Sequence, residues 1–341
     1  MKKIALALGL GLLFLSAAGR SQEQKQELQE EPEQTVKPAQ GATVETPEPQ
    51  PKAQTPEEPK PEPEEKYPAR EIDRPLLIPP KTYEMRSSVA YFSTHTGFNS
   101  DGDSEPLKPA WRMFTMTINA GYGVFSWAEL GGSVSFYSGQ EVYAKGQNIG
   151  DFSTYSLCDI YRSKNKDREL AAGLRISLPT GNPNRKETLV DEKVRPEALT
   201  TGDPALDFFP SLQTRWTIKK FALRGLAEYG YRMPGKTQTG IDVLQEYQDF
   251  APGQSLEAEI DAIYQHNDKL AVFARLNYFN QAGNKLADES LDDAKQLLSV
   301  IPGMEFQFAP DYDLLLMVEL PLLGKNYPRA YPIAACLKSR F

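Results

Sequence analysis

The stretch TIKKFALRGLAEYGYR, residues 217–232, decides the fold. After the Lys219, Lys220 turn, Phe221, Leu223, Ala227, Tyr229 and Tyr231 fall on one side of an extended chain. Arg224, Glu228 and Arg232 fall on the other, because successive side chains of a strand alternate faces. The same period returns with Leu170, Ala172, Leu174, Ile176 and Leu178 opposite Gly173, Arg175 and Ser177. It returns again with Leu256, Ala258, Ile260, Ala262 and Tyr264 opposite Glu257, Glu259 and Asp261, and with Leu314, Leu316, Val318, Leu320 and Leu322 opposite Glu319. Extended over the chain, the pattern predicts twelve strands at 83–93, 112–122, 127–137, 152–162, 168–178, 206–218, 221–231, 254–264, 270–280, 297–308, 313–323 and 330–341. The strand at 152–162 is the least regular: Tyr155, Leu157 and Asp159 share a face, so a bulge is expected there.

The gaps alternate. Those at 123–126, 163–167, 219–220, 265–269 and 309–312 are turns, and those at 94–111, 138–151, 179–205, 232–253 and 281–296 are long; only 324–329 is modest. Strands of about ten residues joined by alternating short turns and long loops are the mark of a transmembrane antiparallel β-barrel. After the first twenty residues no apolar run is long enough for a spanning helix, and only a helix or a closed barrel satisfies its backbone inside lipid. An even strand count returns both ends to the turn side, which in such barrels faces the periplasm. Tyr122, Tyr229, Tyr231, Tyr264 and Tyr278 sit at strand ends, as an interfacial girdle requires, although a soluble sandwich also tolerates aromatics there.

The amino end reads as a secretory signal peptide over 1–21: Lys2 and Lys3, the apolar run Ile4 to Leu15, then Ser16, Ala17, Ala18 and Gly19. Arg20 follows where a lipoprotein would carry cysteine, so no lipid anchor is expected. Residues 22–72 form a Pro/Glu-rich linker, with ten prolines and twelve glutamates between 22 and 69. Such composition cannot bury enough apolar surface to offset its ordering entropy, so a disordered, semi-rigid periplasmic spacer is expected. A tether to a cell-wall or periplasmic partner through 22–69 is the sharper reading of the same stretch. The barrel then occupies 73–341.

Of the net charge of −8, residues 1–21 carry +3, 22–69 carry −7 and 70–341 the remaining −4. No basic stripe interleaved with aromatics is present, and nucleic acid is set aside as a partner. Mean hydropathy is negative, which a barrel accommodates because only alternate strand residues meet lipid. The two cysteines, Cys158 and Cys336, make no disulfide framework and fall in the fourth and twelfth strands.

No enzyme is expected. His95, just past the first strand, and His266, in a turn, lie at opposite barrel ends, so no two-histidine metal site forms. Ser93 and Thr96 neighbour His95, but no Gly-x-Ser-x-Gly elbow is present, and likeness to twelve-stranded outer-membrane phospholipases is architectural only. Asp101, Asp103, Ser104 and Glu105 lack the remaining ligands of a calcium loop; no metal or cofactor site is read. What remains is the lumen, onto which the alternation projects Arg86, Glu129, Arg175, Arg215, Arg224, Glu228, Glu257, Glu259, Asp261, Arg275, Glu305 and Glu319. Rings of such charges select solutes by sign, and paired across a narrow barrel they fill it; twelve strands lies between filled and water-filled barrels. A narrow or gated conduit and a plugged interior both remain open.

The last strand ends on Phe341, with Ile333, Ala335, Leu337 and Ser339 on its face; this resembles the carboxyl-terminal signal that bacterial outer-membrane proteins present to the barrel-assembly machinery. Three stretches resemble the outer-membrane channels of the family named for meta-pathway phenol degradation. These are Asp73-Arg74-Pro75 through Ile78-Pro79-Pro80 to Tyr83-Glu84, Gly173-Leu174-Arg175 through Leu178-Pro179-Thr180-Gly181, and Thr201-Gly202-Asp203-Pro204. Lys81 departs from that pattern, standing where a turn glycine is common. The resemblance implies a barrel that passes small, aromatic or apolar compounds and supplies no catalytic residues. The expectation is therefore a barrel in the outer membrane of a Gram-negative-type bacterium, surrounded by its lipid and passing a small-molecule solute. The alternative is a non-conducting interaction barrel with partner-binding outer loops and a periplasmic tether.

Overall fold

The computed structural model describes residues 68–341, apart from 142–143, 185–186, 191–192, 197–198 and 240–245. The expected signal peptide and almost all of the linker lie outside the described residues. The barrel strands are β1 (Tyr83–Phe98), β2 (Ser104–Phe125), β3 (Ala128–Glu141), β4 (Phe152–Arg162), β5 (Arg168–Leu178), β6 (Asp207–Ile218) and β7 (Phe221–Arg232). They continue with β8 (Ser255–Gln265), β9 (Leu270–Gln281), β10 (Lys295–Ala309), β11 (Tyr312–Val318, resuming as Leu320–Lys325) and β12 (Tyr327–Pro328, resuming as Ile333–Arg340). Each pairs antiparallel with its neighbours in sequence, and β12 pairs with β1, from Glu84 against Arg340 to Tyr91 against Ile333. Phe341 completes the ring: its N–H donates to the Tyr83 carbonyl and its carbonyl accepts the Tyr83 N–H, both at 3.0 Å. The result is a closed, twelve-stranded antiparallel barrel.

The outside is apolar, with Leu212, Leu223, Ile260, Leu276, Leu316 and Ile333 all exposed, while the charged members of each alternation point inward. A soluble sandwich, which buries its apolar faces against each other, is thereby excluded. Aromatic pairs ring the end that carries the short turns: Tyr83 with Tyr122 at 4.4 Å, Phe221 with Tyr264 at 5.0 Å, and Phe125 stacked on Trp127 at 5.2 Å. Rings there sit where an amphipathic side chain is most stable, between hydrocarbon and water.

Three details differ from the sequence expectation or refine it. The gap at 94–111 is no loop. β1 and β2 run on as a hairpin whose tip is held by Asn99, its Oδ1 accepting the amides of Asp101 at 3.0 Å and Asp103 at 2.9 Å. His95 thus lies on β1 rather than beyond it, exposed to the outside. The extension was hidden because Ser93 to Thr96 carry no apolar period. β4 does slip against β5 between Asp159 and Tyr161, where its alternation was weakest. Finally, Gly235–Thr239, Glu246–Ala251, Lys285–Leu286 and Glu289–Ser290 join two of the long connections into a small sheet at the loop end.

The segment before β1 enters the barrel from the turn end and stays there. A 3-10 turn, Glu71–Asp73, is followed by an extended run whose Ile72, Leu77 and Ile78 are buried. Ile72 packs on Ala222, Ile263 and Ala271, and Leu77 on Leu157 and Ala171. Each such side chain, fully buried, contributes about 1.5–3 kcal/mol. The chain leaves the lumen through a close approach to β2: the Lys81 N–H donates to the Gly123 carbonyl at 2.8 Å and the Gly123 N–H to the Thr82 carbonyl at 3.0 Å. The Pro79 carbonyl occupies the place a Cβ at Gly123 would need, so only glycine fits there. Lys81 turns with φ of 64°, the left-handed region in which glycine is the usual choice.

Arg74 is the anchor of this plug. It is buried and bonded to Glu71 Oε2 at 2.5 Å, to Asp313 Oδ2 at 2.9 Å and to Glu305, with the Ala69 carbonyl taking a further N–H at 2.8 Å. Removing one partner of a buried ionic cluster costs about 3–5 kcal/mol because the others are left uncompensated. Arg74→Ala is expected to free residues 68–80 while the barrel stays folded. Limited trypsin digestion should then cut at Arg70 and Lys81 in the variant and at neither in the unaltered protein.

Candidate functional site

The site is the lumen between the plug and the loops. At the loop end lies a chamber of about 1210 Å³, walled by Trp111 and Tyr137, by the hydroxyls of Ser133, Ser153 and Ser177, and by Glu319 and Lys295. The loop segments 199–203 and the small four-stranded sheet complete it through Thr201, Asp203, Thr239 and Gln248. Asp151 fixes this rim, accepting the N–H of Gly181 and of Asp203, each at 2.8 Å. Burial pushes its carboxyl above the usual range against the pull of those two donors.

Arg175, on β5, borders both this chamber and a smaller inner cavity of about 280 Å³. Its guanidinium pairs with Glu228 of β7 and lies 3.7 Å from the centroid of the Phe209 ring. This pair, at the boundary of the two cavities, is called the waist. Below it the inner cavity is closed by Leu76 and Ile78 of the plug, and a neighbouring cavity of about 470 Å³ flanks Arg74. The plug stands between the waist and the turn end.

The twelve charges read from the sequence divide into groups. Arg215, Arg224, Glu129 and Glu305 hold the plug: Arg215 donates to the Ile72 carbonyl at 2.9 Å, Arg224 to Glu71 Oε1 at 2.5 Å, and Glu129 accepts the Ile78 N–H at 2.5 Å. Glu305 joins Arg74 and also takes Lys338 at 2.9 Å. Arg86 pairs with Glu84 at 2.6 Å near the turn end. Glu259 and Asp261 share Arg275, at 3.1 and 2.6 Å. Glu257, on the same face of β8, has no ion pair among the described residues, and Glu319 is held by the Ser299 hydroxyl at 2.7 Å on the chamber wall.

Sequence reasoning passed over the plug's own Glu71 and Arg74, and Glu84, Glu169, Asp313, Lys338 and Arg340, which complete the network. Glu169 accepts both the Leu76 N–H and Arg215 Nε, at 2.8 and 2.9 Å. Arg340 bridges Glu84 and Asp313 at 3.0 and 2.7 Å. The signal was available: these residues lie at inward positions of strand ends, and Glu71-Ile72-Asp73-Arg74 sets opposite charges around an isoleucine just before the first strand.

No protein-family model matches the chain, and no curated protein does. Among solved structures it is similar to the COG4313 outer membrane channel from Pseudomonas putida F1, at 13% identity and a TM-score of 0.61, over 78% of this chain and 97% of that one. The translocator domain of autotransporter NalP from Neisseria meningitidis shows 10% identity and a TM-score of 0.43 over 76% and 88% of the two chains. A KdgM porin in complex with disordered oligogalacturonate shows 9% and 0.41, over 76% and 99%. At these identities the likeness is one of fold.

Charge at the waist predicts a measurable selectivity. Glu228→Gln leaves Arg175 uncompensated and should move the reversal potential in a potassium chloride gradient toward chloride, whereas Arg175→Ala should move it toward potassium.

Proposed function

We propose that this protein is an outer-membrane channel that admits small molecules from the loop end and is gated by its own amino-terminal plug. The observation that carries the reading is the succession of cavities inside the barrel, the large outer chamber and the inner cavity that reaches the plug, with Arg175 bordering both and polar and charged side chains along them. A barrel built only for stability would fill that space with packed side chains. Ten of the twelve inward charges then serve two ends, Arg215, Arg224, Glu129 and Glu305 holding the plug and Arg175, Glu228, Glu257, Glu259, Asp261 and Arg275 setting the field that a solute crosses. The fold likeness to an outer membrane channel supports the location and the class. The resemblance of the Asp73 to Glu84, Gly173 to Gly181 and Thr201 to Pro204 stretches to the phenol-degradation channel family favours small aromatic or apolar compounds as solutes. In this reading the turn end and the linker face the periplasm, where a partner of residues 22–69 acts on the plug, and Phe341 serves the assembly machinery.

Purified protein in planar bilayers is the test. The unaltered protein should show small, intermittent conductance, and deletion of residues 68–80 should raise it severalfold; liposomes should gain permeability to small phenolics. Silence of both proteins, with no gain in permeability, overturns the channel reading in favour of a non-conducting interaction barrel.

A further inference from the structure

Arg86 is an inward charge that neither bonds the plug nor stands at the waist. Its Nε donates to Glu84 Oε1 at 2.6 Å, and among the described residues its Nη1 and Nη2 have no partner. The side chain is 53% exposed although it projects into the barrel, because it borders both inner cavities, of about 280 and 470 Å³. The edge of a guanidinium that carries Nη1 and Nη2 is a double donor matched to a carboxylate. Here that edge is unclaimed and open space lies beside it.

Two further donors share the space from facing walls. Asn119 is the register partner of Arg86 on β2 and borders the smaller cavity, and Gln213 stands on β6 and borders both. Among the described residues neither side-chain amide makes a hydrogen bond. The neighbouring carboxylates, by contrast, are engaged. Glu84 takes Arg86 on one oxygen and Arg340 Nε on the other, at 3.0 Å; Glu129 takes the Ile78 N–H at 2.5 Å, and both oxygens of Glu228 are bonded by Arg175. A cation entering this space finds its carboxylates already bonded, whereas an anion finds the free edge of Arg86.

The rest of the space is apolar. Leu76 and Ile78 of the plug border both cavities, and Leu157 and Leu174 border the smaller one. Ligand pockets span about 300–1,000 Å³ and combine an apolar lining with a few placed polar groups. These cavities stand at the lower end of that range, where a single ring or a short chain fits. Converging free donors over an apolar floor differ from a solvated charged face, which has no wall opposite to hold a ligand.

We infer that the inner lumen contains a carboxylate subsite, Arg86 with Asn119 and Gln213, which takes a small organic anion whose apolar body lies on Leu76 and Ile78. This deepens the channel reading by naming a solute class, and it rests on that reading only for the route by which the ligand arrives. The carboxylate is held bidentately by the Nη edge, and the two amides donate to its remaining lone pairs.

The test is calorimetry on purified protein in detergent at low salt, with sodium benzoate as the probe and benzyl alcohol, benzylamine and acetate as controls. Benzoate should bind once per chain. Benzyl alcohol and benzylamine, which keep the ring and change the head, should bind at least tenfold more weakly, and acetate, which keeps the head and loses the ring, should also be weaker. Arg86→Gln should weaken benzoate at least tenfold and Asn119→Ala severalfold, each in protein whose barrel is shown folded by its heat-modifiable mobility on a gel. The subsite is overturned if the unaltered protein binds no benzoate, if benzylamine or benzyl alcohol binds as tightly, or if folded R86Q and N119A both bind benzoate at the unaltered affinity. Conductance in bilayers is read separately: binding without conductance removes the channel and leaves the subsite, and conductance without binding removes the subsite alone.

Discussion

A strand in lipid has no water to satisfy its amides, so every N–H and C=O must find a partner in the next strand, and the last strand must find the first. In this chain the requirement is met by the eight register pairs between Glu84–Tyr91 and Ile333–Arg340 and by the reciprocal bonds of Tyr83 with Phe341. Closure fixes the interior. Once the ring is formed, every second residue of every strand is committed to the lumen, and the charges that alternate with the apolar residues have nowhere else to go.

Packing those charges into a narrow space creates the next constraint. Carboxylates and guanidiniums taken out of water are stable only when paired and hydrogen-bonded. The barrel wall alone does not achieve this: Glu305, Asp313, Glu169, Glu129, Arg215 and Arg224 all complete their coordination on the segment before β1, through Arg74, the Leu76 and Ile78 amides, the Ile72 carbonyl and Glu71. The plug is thus the counter-charge of the barrel's turn end as well as its stopper. Its removal would leave several buried charges exposed to each other and to water.

Toward the loop end the demands relax. The chamber is lined by hydroxyls and aromatic rings, and the connections bring their own hairpins. One barrel therefore has two characters, a tightly paired turn end and an open loop end, with Arg175 and Glu228 at their junction.

Much of this is legible in the chain itself. Strand count, order, faces and the inward placing of residues such as Arg224, Glu257 and Glu319 follow from a period of two, because in a strand the side-chain direction is set by position alone and needs no knowledge of neighbours. The irregularity of β4 was visible in its broken alternation, and the special turn at Lys81 in its departure from glycine. What the tertiary structure decided is which charges meet. Arg74 lies far in sequence from Glu305 and Asp313, and Arg175 from Glu228; their pairing depends on the diameter of the closed ring and on a segment threaded through it, neither of which is encoded in any local pattern. The hairpin of β1 and β2 beyond Ser93 was hidden for the same reason: an apolar period marks where a strand meets lipid, whereas hydrogen bonds between distant segments mark where it begins and ends.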